Sequence, residues 1–131
     1  MIDPASKSQY IQRVANAKVS LTTTNATTLF TAPSGSDFDF AVIESILVNN
    51  NNSASTTLNV TLTDTSSNVF NIYDDFAIAG NTTTELLSRD LVLQAGEILK
   101  LTANDANRIM AITSLVEYAK GCLLYTSPSP R

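Results

Sequence analysis

From Asn16 onward, short apolar runs alternate with polar clusters at intervals of about ten residues, the spacing of a chain that folds as many short strands joined by turns. Ala17-Lys18-Val19-Ser20-Leu21 is the first such run, followed by a polar stretch over residues 22–27. Thr28-Leu29-Phe30-Thr31 comes next and is stopped by Ala32-Pro33-Ser34-Gly35-Ser36, because proline cannot donate to a ladder and glycine takes turn conformations cheaply. Residues 38–48 are the most hydrophobic stretch, dense in β-branched and aromatic side chains, and predict a central strand buried on both faces. Asn49-Asn50-Asn51-Asn52-Ser53 ends it, since short amides bond locally to the backbone, and a hairpin is the simplest consequence. In the following strand Leu58, Val60 and Leu62 face one way while Asn59, Thr61 and Thr63 face the other, the period of two that marks a half-buried strand.

Residues 69–73 and 76–78 flank Asp74-Asp75, which predicts a strand kinked or bulged by an acidic pair. Gly80-Asn81 marks a turn. Glu85-Leu86-Leu87 and Leu91-Val92-Leu93 bracket Ser88-Arg89-Asp90, and the turn Leu93-Gln94-Ala95-Gly96-Glu97 delivers the chain into Ile98-Leu99-Lys100-Leu101-Thr102. After Asp105-Ala106-Asn107 a long last strand covers residues 109–118. Ahead of all this, residues 6–17 place Tyr10, Ile11 and Val14 at helical spacing, so the segment reads either as a short helix or as an extended arm. The sum is an all-β fold, an antiparallel β-sandwich of jelly-roll-like type with about eight strands. It forms a single domain over residues 17–121, preceded by an N-terminal arm over residues 1–16.

Composition agrees with this reading. The chain has 131 residues, room for one core, and its polar fraction is rich in Thr, Ser and Asn, which is strand and turn usage. No apolar run reaches the length of a membrane span, and the N-terminus lacks the basic-then-apolar order of an export signal, so neither membrane insertion nor export is expected. Charge is uneven. Residues 1–20 hold Lys7, Arg13 and Lys18 against Asp3 alone, while nearly all the acidic residues lie beyond. An acidic body is repelled by phosphate backbones, which disfavours nucleic acid as a partner.

The chemistry available is narrow. Histidine is absent and Cys122 is the sole cysteine, so intrachain disulfides and Cys/His zinc sites are excluded. Without histidine there is no ready general base, and Lys100, flanked by Leu99 and Leu101, is poorly placed to act as one; no enzyme activity, catalytic residue or cofactor is expected. Asp74-Asp75 and Asp37-x-Asp39 read as solvated turn acids, because no tryptophan accompanies them to form a sugar platform. Asp37, Asp39, Asp74, Asp75 and Asp90 could offer oxygen ligands to calcium, but none sits in a spaced acidic-glycine loop, and no metal site is assigned. The Asn-x-Ser/Thr triplets at Asn25, Asn51, Asn59 and Asn81 follow from a composition rich in Asn and Thr.

Residues 122–131, Cys-Leu-Leu-Tyr-Thr-Ser-Pro-Ser-Pro-Arg, change character abruptly and resemble one reading frame of a sequencing-library adapter. They read as an artefactual tail, with a disordered natural tail as the other reading, and stand outside the fold. Within the body, Thr28-Leu29-Phe30-Thr31-Ala32-Pro33, the stretch ending in Ser45-Ile46-Leu47-Val48-x-Asn50, and Leu91-x-Leu93-x-Ala95-Gly96-Glu97-x-Leu99 occur in that order. This order resembles a family of small β-sandwich structural proteins of tailed, marine-type bacteriophages. The resemblance spans about residues 15–119 and implies a non-enzymatic virion role: head decoration, neck or tail attachment, in several copies. A homo-oligomer is expected, a trimer first, docked on other virion proteins, with no nucleic acid or membrane partner. A carbohydrate- or receptor-binding module of a phage fibre is the alternative, and it calls for aromatic residues on exposed loops. Tyr73, Phe76 and Tyr118 are few and strand-bound for that purpose.

Overall fold

Period-two alternation closes this chain into two layers with a shared dry interior. The computed structural model describes residues 11–35 and 38–119, and among them there are nine strands and no helix. In chain order these are β1 (Ile11–Leu21), β2 (Thr27–Thr31), β3 (Phe40–Asn50), β4 (Thr56–Thr63), β5 (Val69–Ile78), β6 (Thr82–Glu85), β7 (Leu91–Gln94), β8 (Ile98–Ala103) and β9 (Ile109–Ala119). One antiparallel sheet runs β1-β9-β3-β6 with β7 also on β3, and the other runs β2-β8-β4-β5. β6 pairs with the end of β3 at residues 47–50 and β7 with its start at residues 40–43, so the two occupy one strand position broken in the middle. With β6 and β7 counted as one, the interleaved order is that of a jelly roll, as the alternation predicts. The extra strand arises because Leu86 is drawn inward. It is buried, its N–H donates to the Ile46 carbonyl at 2.9 Å, and its own carbonyl accepts from the Tyr73 hydroxyl at 2.6 Å.

The interior is filled from both sheets, by Leu21, Ile43, Ile46, Val48 and Ile109 on one side and Leu58, Val60, Ile78, Leu99 and Leu101 on the other, all fully buried. β4 follows the predicted pattern: Leu58 and Val60 point in and Leu62 packs against the core, while Asn59 and Thr61 are half-exposed. Thr63, where the strand ends, departs from it and is buried. The kink expected at Asp74-Asp75 is present. Leu58 pairs with Phe76, Val60 with Tyr73 and Thr61 with Asn71, so β5 bulges twice. Asp75 takes a positive φ of 53° and its N–H donates to Asn59 Oδ1 at 2.7 Å. Two of the three motifs that carry the phage resemblance meet in space: Ala32 N–H donates to the Glu97 carbonyl at 2.8 Å and Gly96 N–H to the Ala32 carbonyl at 3.2 Å. Gly96 sits at φ 79°, and the Glu97 carboxylate accepts from Gln94 N–H at 2.8 Å, which explains a glycine followed by an acid at this turn.

Three expectations need correction. β3 is buried on one face only: Ala41 and Ile43, then Ile46, Val48 and Asn50, point inward, while Leu47 is exposed. A register shift between Ile43 and Ser45 switches the inward positions from odd to even numbers, and that bulge makes the stretch read as continuously apolar. Residues 49–53 make no hairpin, because β3 and β4 lie in different sheets. Fully buried Asn50 is the pivot of that crossover, with Nδ2 donating to the Ala54 and Ile78 carbonyls at 2.8 and 3.1 Å and Oδ1 accepting from Asn52 N–H at 3.0 Å. Gly80 lies against the same crossing; a Cβ there would stand 2.2 Å from the Ser53 carbonyl oxygen. Finally, β1 begins at Ile11 rather than Ala17, paired without interruption to β9 from Ile11↔Ala119 to Leu21↔Ile109. Residues 11–16 of the expected arm are therefore strand, which excludes a helix there. Residues 1–10, Asp37 and the tail at 122–131 lie outside the described residues.

Candidate functional site

The fold offers a partner the outward faces of its two sheets. On the sheet β2-β8-β4-β5 the middle rows of the outward face are polar, while Val69 and Phe70 are exposed at the start of β5. Thr28 lies beside Lys100, Lys100 beside Thr61 and Thr61 beside Asn71, with Asn59 and Thr102 as the next row. A shallow depression there is lined by Thr24, Thr57, Asn59, Asp75, Thr102 and Asn104. Lys100 is outward, as the sequence predicts, between buried Leu99 and Leu101.

The outward face of β1-β9-β3-β6 differs. Ile112 lies between Lys18 of β1 and Leu47 of β3, and Leu47 lies beside Glu85 of β6. The next row is Ser20, Met110, Asn49 and Thr83. Ile112 is 46% exposed, Met110 42% and Leu47 40%, and these three line a second shallow depression with Lys18 and Thr83. Further along the same face a row of valines crosses four strands, Val14, Val116, Val42 and Val92. Val116 is buried, but Val14 at the sheet edge is 81% exposed and Val92 54%. Phe40 and Tyr118 close this end, their rings stacked 5.0 Å apart at 7°.

Charged groups around this sheet serve its construction. The Arg13 guanidinium pairs with the buried carboxylate of Glu117 at 2.5 Å and lies 4.1 Å over the Phe38 ring. The Glu85 carboxylate accepts from the Ser45 hydroxyl, from Ile46 N–H at 2.8 Å and from Leu87 N–H at 3.1 Å, clamping β6 onto the bulge of β3. Burial alone would raise its pKa; the Ser45 hydroxyl and the Ile46, Leu87 and Leu86 amides outweigh it and hold the carboxyl below its ordinary value. Asp105 is held low chiefly by the Thr56 hydroxyl at 2.6 Å, against a smaller opposing effect of burial and with Arg108 at 3.5 Å helping. Asp64 is lowered by the backbone N–H of Asn68, which with Ser66 N–H it accepts at 2.9 Å inside its own turn.

Of the acidic residues considered for calcium, Asp37 lies outside the described residues, and the others form no cluster of metal ligands. Asp74, Asp75 and Asp90 are exposed, Asp39 lies at the start of β3, and among the described residues no group of three or more His, Cys, Asp or Glu could hold a metal ion. Nor do the aromatics cluster on exposed loops: Tyr73 and Phe76 are tilted against each other with centroids 4.7 Å apart and pack against the core, and Tyr118 stacks on Phe40. The sequence places Leu47, Val92, Met110 and Ile112 in strands without showing that they face outward, and leaves Val14 in the arm rather than in β1. Nor does it show the exposure of Val69 and Phe70 at the start of β5. The signal was present only as apolar residues at both parities of one strand. No helix of the described residues is long and apolar enough to cross a membrane.

In sequence, no family model and no curated protein matches this chain. In structure, it is similar to the disulfide-linked pili of Bacillus endospore appendages, at 7% identity and a TM-score of 0.51, over 84% of this chain and 88% of that one. It is also similar to a pentameric capsid protein from metagenomic phage sequences, at 14% identity and a TM-score of 0.45, over 88% of this chain and 66% of that one. A third neighbour is the VP2 protein of infectious bursal disease virus, at 14% identity and a TM-score of 0.47, over 86% of this chain and 34% of that one, so the chain spans about a third of VP2's length. These neighbours are structural proteins of pili and capsids, and at such identities the likeness is one of fold.

Proposed function

We propose that this chain is a non-enzymatic structural protein of a phage virion, a head decoration, neck or tail attachment protein, acting by self-assembly and docking. The observation that carries the reading is the apolar outward surface of Ile112, Leu47 and Met110 on the sheet β1-β9-β3-β6, with Val14 and Val92 beyond it. Exposed apolar side chains that are contiguous across neighbouring strands mark contact surfaces, whereas scattered single ones do not. The partners are copies of the same chain, a trimer being the first symmetry to test, and other virion proteins; the phage resemblance of the strand and turn motifs supplies the setting. Genes for virion components travel in blocks, so the genes flanking this reading frame test the assignment. Head and tail genes on either side are the expected result, and a metabolic gene block overturns it. The fibre-tip alternative predicts sugar binding, and a glycan array with no signal at any sugar removes it.

A further inference from the structure

The edges of the two sheets are unequally defended against pairing with another chain. β2 is five residues long, has a register shift between Thr28 and Phe30, and runs into Pro33. β5 is twice bulged and carries Asp74 and Asp75. β6 is four residues long and separated from β7. β1, in contrast, is an eleven-residue edge strand with no proline, glycine, bulge or acidic side chain.

The backbone of β1 is also oriented for a partner. The Leu21 carbonyl accepts from Asn107 N–H at 2.9 Å, on the side of β9. Along a strand the N–H and C=O of one residue point to the same side and successive residues alternate. Odd-numbered residues of β1 therefore bond β9, and Gln12, Val14, Asn16, Lys18 and Ser20 present N–H and C=O to the edge, which no strand of the described residues covers.

We propose that β1 pairs antiparallel with β1 of a second copy about a two-fold axis through Asn16. In that register Val14 faces the partner's Lys18, Gln12 faces the partner's Ser20, Arg13 faces the partner's Val19 and Ala15 faces the partner's Ala17. No like charges meet. Each Lys18 lays its aliphatic stem over the 81% exposed Val14 of the other chain, which gives that valine the cover it lacks in the protomer. The two Lys18 ammonium groups are about four residues apart along the strands, roughly 13 Å, beyond the screening length at physiological salt. Because the strands are identical, the edges match in length and the contact closes on itself. This joint goes beyond the sheet-face contact proposed above and stands or falls separately from it.

The test is the solution mass of the full chain by light scattering at a fixed concentration. Asn16→Pro removes an N–H that points away from β9, so the β1–β9 ladder and the circular dichroism spectrum are retained while the assembled mass halves. A second pair of variants reads the register. Val14→Lys faces the partner's Lys18 twice by symmetry and weakens the assembly about tenfold in dissociation constant, whereas Val14→Glu leaves it as tight or tighter. A wild-type mass equal to the 14.0 kDa chain, an unchanged mass in folded Asn16→Pro, or the same effect from both Val14 variants overturns the proposal. Should Asn16→Pro not fold, the Val14 pair decides. Face substitutions at Leu47 and Ile112 leave this edge intact, so failure of one contact is separable from failure of the other.

Discussion

The two outward faces of the sandwich are built by the same alternation and differ in chemistry across their middle rows. On β2-β8-β4-β5 the middle rows are Thr28, Thr61, Thr102, Asn59, Asn71 and Lys100, with Val69 exposed only at the end of the sheet; on β1-β9-β3-β6 the rows include Ile112, Leu47, Met110, Val14 and Val92. Threonine is β-branched and favours strands much as valine and isoleucine do. The threonine face therefore shows that strand formation does not require exposed hydrocarbon. The apolar residues of the other face need a different cause, and covering by another protein surface supplies one.

Several substitutions probe this contrast, and the largest effect is expected where both faces share support. Val60→Asp places an unpaired carboxylate in the interior between the sheets and abolishes cooperative folding, while Thr61→Asp, one position along and facing outward, shifts stability by no more than about 0.5 kcal/mol. Thermal melts of the two variants read this directly, and equal melts would mean the inward face is misassigned. Asn50→Ala strips the crossover between the sheets of its three hydrogen bonds and costs about 2–3 kcal/mol, measured by urea unfolding. Glu85→Gln touches only the apolar-faced sheet, loosening β6 from β3 at a cost of about 1 kcal/mol after solvent screening, read by the same method.

The smallest effect is with acid. Glu85, Asp105 and Asp64 all titrate below their ordinary values in the folded protein, so the stability they contribute is complete above the usual carboxylate range. It is lost as pH falls through the lowered values, and the melting temperature should hold from neutrality to about pH 5 and decline below about pH 4. In Glu85→Gln that decline becomes shallower. A decline no shallower than in the wild type would show that Glu85 does not carry it.

The same contrast decides what is legible in the sequence. In β4 one parity is Leu58, Val60 and Leu62 and the other Asn59, Thr61 and Thr63, so the alternation alone identifies the inward face. In β9 Ile109, Ala111 and Leu115 share one parity and Met110, Ile112 and Val116 the other; with hydrocarbon on both, a period of two cannot say which side is core. The apolar outward surface is hidden for that reason. β3 hides it a second way, through a bulge that moves the inward positions from Ala41 and Ile43 to Ile46 and Val48. Turn chemistry is legible wherever a local bond enforces it, as at Gly96-Glu97, but the crossover at Asn50 depends on the carbonyl of Ile78, distant in sequence, and no local pattern announces that.

The decisive measurement is the mass in solution, by sedimentation equilibrium, of Leu47→Thr with Ile112→Thr beside the wild type. The substitutions give one sheet the surface chemistry that the middle rows of the other already have and preserve strand preference. If the apolar face is where copies meet, the wild type has a mass several times 14.0 kDa, and the threonine variant falls toward a smaller assembly with an unchanged fold. A wild type that sediments as a single chain, or a variant that assembles just as well, would contradict the account.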